Sequence, residues 1–160
     1  MAQRNANSKS KAGGKPQNAL TLLKADHELV TGLFDKFEKA KTDKQKGALA
    51  QQICAELTVH AQIEEEVFYP AVREAIDDDD LMDEADVEHA GAKDLIAQIE
   101  ESGPGEEQFD AKVTVLGEYV KHHVKEEQSE MFPKVRKADL DLNEIGAALA
   151  ARKAELQGGR

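Results

Sequence analysis

The segment HAQIEEEVFYP, residues 60–70, returns 63 positions later as HVKEEQSEMFP, residues 123–133. In each copy a histidine, His60 or His123, is followed four residues on by a glutamate, Glu64 or Glu127, and then by a proline, Pro70 or Pro133. Residues four apart share one face of an α-helix. Leu49, Ile53 and Leu57 lead into His60, and Val113, Leu116 and Val120 lead into His123, with steps of three and four. That period predicts helices over about 44–76 and 109–137.

A second repeat lies outside the first. A shift of 62 lays Asp26-His27 onto Glu88-His89, Leu33 onto Leu95, Phe34 onto Ile96 and Phe37 onto Ile99. Leu20, Leu23, His27, Val30, Phe34 and Phe37 form the stripe of a helix over about 18–40. Met82, Ala85, His89, Ala92, Ile96 and Ile99 form another, ended by the breaker Ser102-Gly103-Pro104-Gly105. The acidic run Asp77 to Asp80 lacks the alternating ligands and glycine of a calcium loop, and reads as a solvated turn at a helix start.

One helix pair written twice predicts an all-α, up-down-up-down four-helix bundle over residues 18–137. Leu140, Ile145, Ala148, Leu149 and Leu156 add a short C-terminal amphipathic helix within 138–160, capped by Asp141 or Asn143. It is expected to pack across the bundle or to serve a protein partner. Residues 1–17, with Arg4, Lys9, Lys11, Lys15 and two glycines, read as a flexible basic tail.

With 160 residues, a net charge of -11 and an isoelectric point near 4.9, the chain suits one acidic domain and no nucleic-acid surface. No run reaches the roughly 18 apolar residues of a membrane span, and the N-terminus lacks the apolar core of a secretory signal. The single cysteine, Cys54, excludes an intrachain disulfide and fits a reducing compartment. A cytoplasmic address is expected.

A buried imidazole beside a buried carboxylate is costly unless both are satisfied, and a metal cluster satisfies both. His27, His60, Glu64, His89, His123 and Glu127 are the candidate metal residues. A lone His-x-x-x-Glu is usually a plain side-chain pair, but here four helices bring one histidine each to nearly the same level. His122 also precedes a glutamate by four, yet only His123 matches His60 in the repeat, so His122 is assigned to the flank or to a supporting place around the ligands. Cys54 lies off the seam as a small core or flank residue. Tyr119, one turn before His123, is expected to line the core or hydrogen-bond near the site, and Glu56 occupies the equivalent place before His60. Nitrogen and carboxylate donors without thiolates suit two non-haem iron ions, with manganese or zinc as alternatives.

Asp26-His27, the 60–70 segment, Glu88-His89 and HHVKEE (122–127) through Met131-Phe-Pro133 together resemble the hemerythrin-like, or HHE cation-binding, family. The resemblance implies a four-helix bundle with a di-iron centre and places the family's ligands on the six residues above. Oxygen-carrying hemerythrins have a further histidine one turn along the third helix, where this chain has Ala85 and Lys93 flanking His89. Glu56, His122, a tyrosine or water is left to complete the coordination.

Three functions compete on this reading. A centre with open positions binds or senses oxygen, peroxide or nitric oxide, or it turns over peroxide or a small molecule as an enzyme. The third is iron storage or a metal-gated interaction module. No separate acid, base or nucleophile constellation is visible in the sequence.

Overall fold

A computed structural model describes residues 18–158. The basic tail expected over 1–17 and the last two residues lie outside the described residues. α1 (Ala19–Lys39) begins at Asn18, whose side chain accepts the Thr21 N–H. α2 (Asp43–Ile63) begins at a reciprocal cap in which the Thr42 and Gln45 side chains each accept the other's backbone N–H. Ala40 N–H on Phe37 C=O at the end of α1 and the Thr42 cap at the start of α2 fix a short turn, so α1 and α2 run antiparallel.

The helices predicted over 44–76 and 109–137 are each interrupted. α2 passes into a π-helical segment, Glu64–Phe68, and then into α3 (Tyr69–Ala75). The other copy repeats this as α5 (Phe109–Glu126), a π-helical segment Glu127–Met131, and α6 (Phe132–Lys137). Proline has no N–H and its ring crowds the carbonyl four residues back. A widened turn just ahead of Pro70 and Pro133 relieves that clash, closing with Tyr69 N–H on Glu64 C=O and Phe132 N–H on Glu127 C=O.

α4 (Asp79–Glu100) lies between these halves and begins at Asp78, whose side chain accepts the Leu81 N–H. The acidic run is therefore a capping turn. The breaker after α4 uses Gly105 at φ 92°, a left-handed conformation that favours glycine. α7 (Leu142–Gly158) starts at Asp141, which accepts the Glu144 N–H.

Two apolar cores are separated by a polar layer. Leu23, Ile63, Phe68, Met82, Phe132 and Leu149 belong to one, and Val30, Leu57, Ile96, Phe109, Val113 and Leu116 to the other. Along α1 the change occurs between Leu23 and Val30, at His27. Along α2 it occurs between Leu57 and Ile63, at His60. α7 joins the first core through fully buried Leu149, with Ile145 and Leu156 beside it. The apolar face that suggested a partner for this helix is thus packed on the chain's own core.

Among the described residues no helix is long and apolar enough to cross a membrane.

Candidate metal centre

The polar layer contains all six residues expected from the sequence. His27, His60, His89, Glu64 and Glu127 are buried, and the His123 side chain is 12% exposed. Their donor atoms fall into two groups, His27, His60, Glu64 and Glu127 in one and Glu64, His89 and His123 in the other, with the second oxygen of Glu127 beside His123. His27 Nε2 lies 3.0 Å from Glu127 Oε1, and His60 Nε2 lies 3.3 Å from Glu64 Oε2. His89 Nε2 lies 3.1 Å from Glu64 Oε1, and His123 Nε2 lies 3.2 Å from Glu127 Oε2. Each glutamate therefore turns one oxygen to each histidine pair, the orientation of a bridging carboxylate.

The first group carries an unmet demand. His27 Nε2, His60 Nε2, Glu64 Oε2 and Glu127 Oε1 are buried and make no hydrogen bond, although they are close enough for ion pairing. Four such atoms converging on one point are costly without a ligand, and four nitrogen and oxygen donors within 4.8 Å of one another fit a metal ion.

The second group surrounds a phenol. The Tyr69 hydroxyl donates to Glu127 Oε2 at 2.6 Å and lies 3.0 Å from Glu64 Oε1 and 3.2 Å from both His89 Nε2 and His123 Nε2. Tyr69 was not singled out by the sequence pattern, for a geometric reason. In a regular α-helix the residue five after Glu64 stands about 140° round the axis. The π-helical turn brings the two to the same side.

The signal lies in the repeat, where the residue matching Tyr69 is Phe132. Phe132 has no hydroxyl, and its ring stacks on His27 at a centroid distance of 6.3 Å. The difference explains why the first group's atoms lack partners and the second group's do not.

Every imidazole is held from behind. His60 Nδ1 donates to Asp26 Oδ2 at 2.9 Å, His89 Nδ1 to Glu65 Oε2 at 2.7 Å and His123 Nδ1 to Glu88 Oε1 at 2.6 Å. His27 Nδ1 donates to Gln128 Oε1 at 2.7 Å. A proton fixed on Nδ1 leaves the Nε2 lone pair facing the centre. These supports obey the same internal symmetry, since Asp26 and Glu88 each precede a histidine and Glu65 and Gln128 each come after a glutamate.

Without a metal the layer neutralises itself. Burial disfavours a charged His60, but the Glu64 carboxylate and the hydrogen bond to Asp26 outweigh it and raise its pKa to about 10. The same opposition, with Glu127 the main attraction, takes His123 to about 12. Burial would raise the Glu64 pKa, yet the His60 charge and the hydrogen bonds to the histidines hold it well below the ordinary carboxylate range.

Residues 18–135 match the Hemerythrin HHE cation binding domain. The chain belongs to that family. A crystal structure of a hemerythrin HHE cation binding domain-containing protein from Mycobacterium kansasii superposes with a TM-score of 0.77 at 27% identity, covering 89% of each chain. A Mycobacterium tuberculosis protein is 30% identical over 149 residues, 88% of each sequence. A DNA nickase of Nostoc sp. is 32% identical over 119 residues, 74% of this chain and 34% of the nickase. The chain thus spans about a third of the nickase's length. As a hemerythrin HHE domain with these histidine and glutamate groups, it is a cation-binding protein.

The remaining candidates for the HHE centre fall around it. His122 is 63% exposed and lies 3.5 Å from Glu88 Oε2, on the flank as the repeat predicted. Glu56 is half-buried and joins neither donor group. Tyr119 is 49% exposed at the rim of a cavity beside the histidines, not inside the core. Cys54 is buried in the core that contains Leu57 and Ile96, where burial raises its thiol to about 12.

Proposed function

We propose that His27, His60, Glu64, His89, His123 and Glu127 hold two non-haem iron ions, and that this centre binds or senses oxygen, peroxide or nitric oxide. The observation that carries the reading is the sharing of Glu64 and Glu127 between two histidine pairs, one of which has four buried donor atoms without hydrogen bonds. Borderline nitrogen donors with two carboxylates suit iron, and no thiolate joins either group.

Iron bound there supplies redox chemistry and open coordination positions for a small ligand. The chain supplies the rest. Asp26, Glu65, Glu88 and Gln128 orient the imidazoles, while Phe68 and Phe132 close the layer on one side. The Tyr69 oxygen, within 3.2 Å of Glu64, His89, His123 and Glu127, would be the chain's own further donor beside iron held there, which supports ligand sensing over reversible transport.

The same hydroxyl favours peroxide decomposition as a second reading, because it puts an exchangeable proton 3.0 Å from Glu64 Oε1 and 2.6 Å from Glu127 Oε2, the two shared carboxylates. Nicking of DNA is not extended to this chain, since a net charge of -11 opposes contact with a phosphate backbone.

Metal analysis of protein purified without added metal, followed by anaerobic iron loading and oxygen exposure, tests the proposal. Two irons per chain and an iron-dependent absorption in the near ultraviolet and visible are expected. Absence of any such band at two irons per chain overturns it. Repeated turnover of peroxide, as against a single reaction per centre, selects the enzymatic reading.

A further inference from the structure

A cavity of about 360 Å³ lies directly against the four histidines, on the side of the layer away from Phe68 and Phe132. One water needs only ~10–15 Å³ by the same measure, and small-molecule pockets begin at about 300 Å³. A diatomic ligand therefore leaves most of this space unused. The wall opposite the histidines is made of Val30, Leu57, Ala92, Ile96 and Val120.

Two residues one turn beyond His89 line this space. Three positions on, Ala92 presents a single methyl group, and four positions on, Lys93 turns its ammonium outward to Glu65 Oε1 at 2.7 Å. Neither fills the groove between α4 and α5 as a ring would.

Charge on the wall is already matched. Lys93 pairs with Glu65, Glu66 with Arg152 at 2.7 Å, Asp26 with Lys153 and His60, and Glu88 with His123. In the metal-free protein a charged occupant would have to be desolvated against apolar side chains without a free counter-charge, at a cost of several kcal/mol. A neutral apolar occupant meets no such cost.

We propose that this cavity binds a neutral, largely apolar organic molecule of about one aromatic ring's size, as a ligand or co-substrate held against the histidine layer. Binding in the cavity stands on its walls and charge pairing alone. Only the consequence, that the occupant is brought against a redox centre, rests on the iron assignment. Tyr119 at the rim, with its ring over Gly91, offers one hydroxyl to a polar end of the molecule.

The test uses three probes of one size, benzyl alcohol, benzoate and benzylammonium, titrated by calorimetry into the full chain as purified and again after chelation of metal. Benzyl alcohol is expected to bind at one per chain with or without metal, and after chelation at least about tenfold more tightly than either ion. Ala92→Phe and Val120→Phe, which fill the space from different helices, are each expected to weaken it at least about tenfold with metal content unchanged. The inference is overturned if benzyl alcohol fails to bind at millimolar concentration, if after chelation an ion binds as well or better, or if both filled variants bind as the parent does. Loss of the iron band without loss of benzyl alcohol binding would count against the metal reading and leave the cavity reading intact.

Discussion

Lys153, on the last helix, donates to Asp26 Oδ1 at 2.5 Å, and the other oxygen of Asp26 accepts from His60 Nδ1. A helix outside the four-helix frame is thereby joined to the histidine layer through a single carboxylate. Burial would raise the Asp26 pKa, and His60 and Lys153 together hold it below the ordinary value.

Asp26→Asn is therefore predicted to weaken metal binding by about 10- to 100-fold, the usual effect of removing a carboxylate behind a metal-bound imidazole. Lys153→Met should show a smaller loss in the same direction, and Lys153→Arg should restore it. Competition against a chromogenic chelator measures all three. Parent-like affinity in both Asp26→Asn and Lys153→Met would break the proposed link.

Tyr69→Phe probes the phenol surrounded by Glu64, His89, His123 and Glu127. After iron loading in air, the parent is expected to show a phenolate-to-iron band in the visible, and the variant to lose it while keeping two irons. A resonance Raman spectrum without phenolate modes in the parent would remove Tyr69 from the metal's surroundings.

The shared carboxylates predict a stoichiometry. Glu64→Gln or Glu127→Gln replaces an oxygen anion that both histidine pairs use, so either change should reduce bound iron below two per chain. Glu130→Gln, three residues beyond Glu127 and exposed, is the matched control and should bind as the parent does. Elemental analysis after desalting decides the matter, and two irons retained in Glu64→Gln would contradict the bridging role.

Protons compete with the metal. In the metal-free protein His60 and His123 stay protonated to about 10 and about 12, against an ordinary value of 6.5. Metal uptake at neutral pH should thus release at least one proton from each, and binding should weaken as pH falls. Calorimetry in buffers of different ionisation enthalpy reads this release directly, and identical heats in all of them would refute it. For the metal-free bundle the sign reverses. Raised histidine pKa values stabilise it fully below pH 6.5, and that contribution is lost as pH climbs through about 10. Urea denaturation in chelator should show the decline.

The bundle and its six candidate donors were legible because histidine and glutamate sit in apolar stripes whose period is that of a helix, and because the stripes occur twice. The supports behind the imidazoles were legible in principle, since Asp26, Glu65, Glu88 and Gln128 adjoin those donors in matching places. Tyr69 was not, because a reading at 3.6 residues per turn places it on the wrong side of Glu64. Tyr119 was misplaced for the complementary reason, as proximity in sequence to His123 did not show how far α5 turns its ring toward solvent. The packing of α7 across the bundle was one of two expectations, and its outcome depended on Leu149 finding the first core, which local pattern alone does not reveal.

The two π-helical turns set helix stability and site assembly against each other. Tightening either segment to the α-helical pitch with all its residues kept would favour backbone hydrogen bonding. It would also carry Tyr69 or Phe132 about 100° away from the layer. The regularised chain would hold a sounder helix and a dismantled centre, so the lesion most damaging to this site need not reduce the amount of folded protein at all.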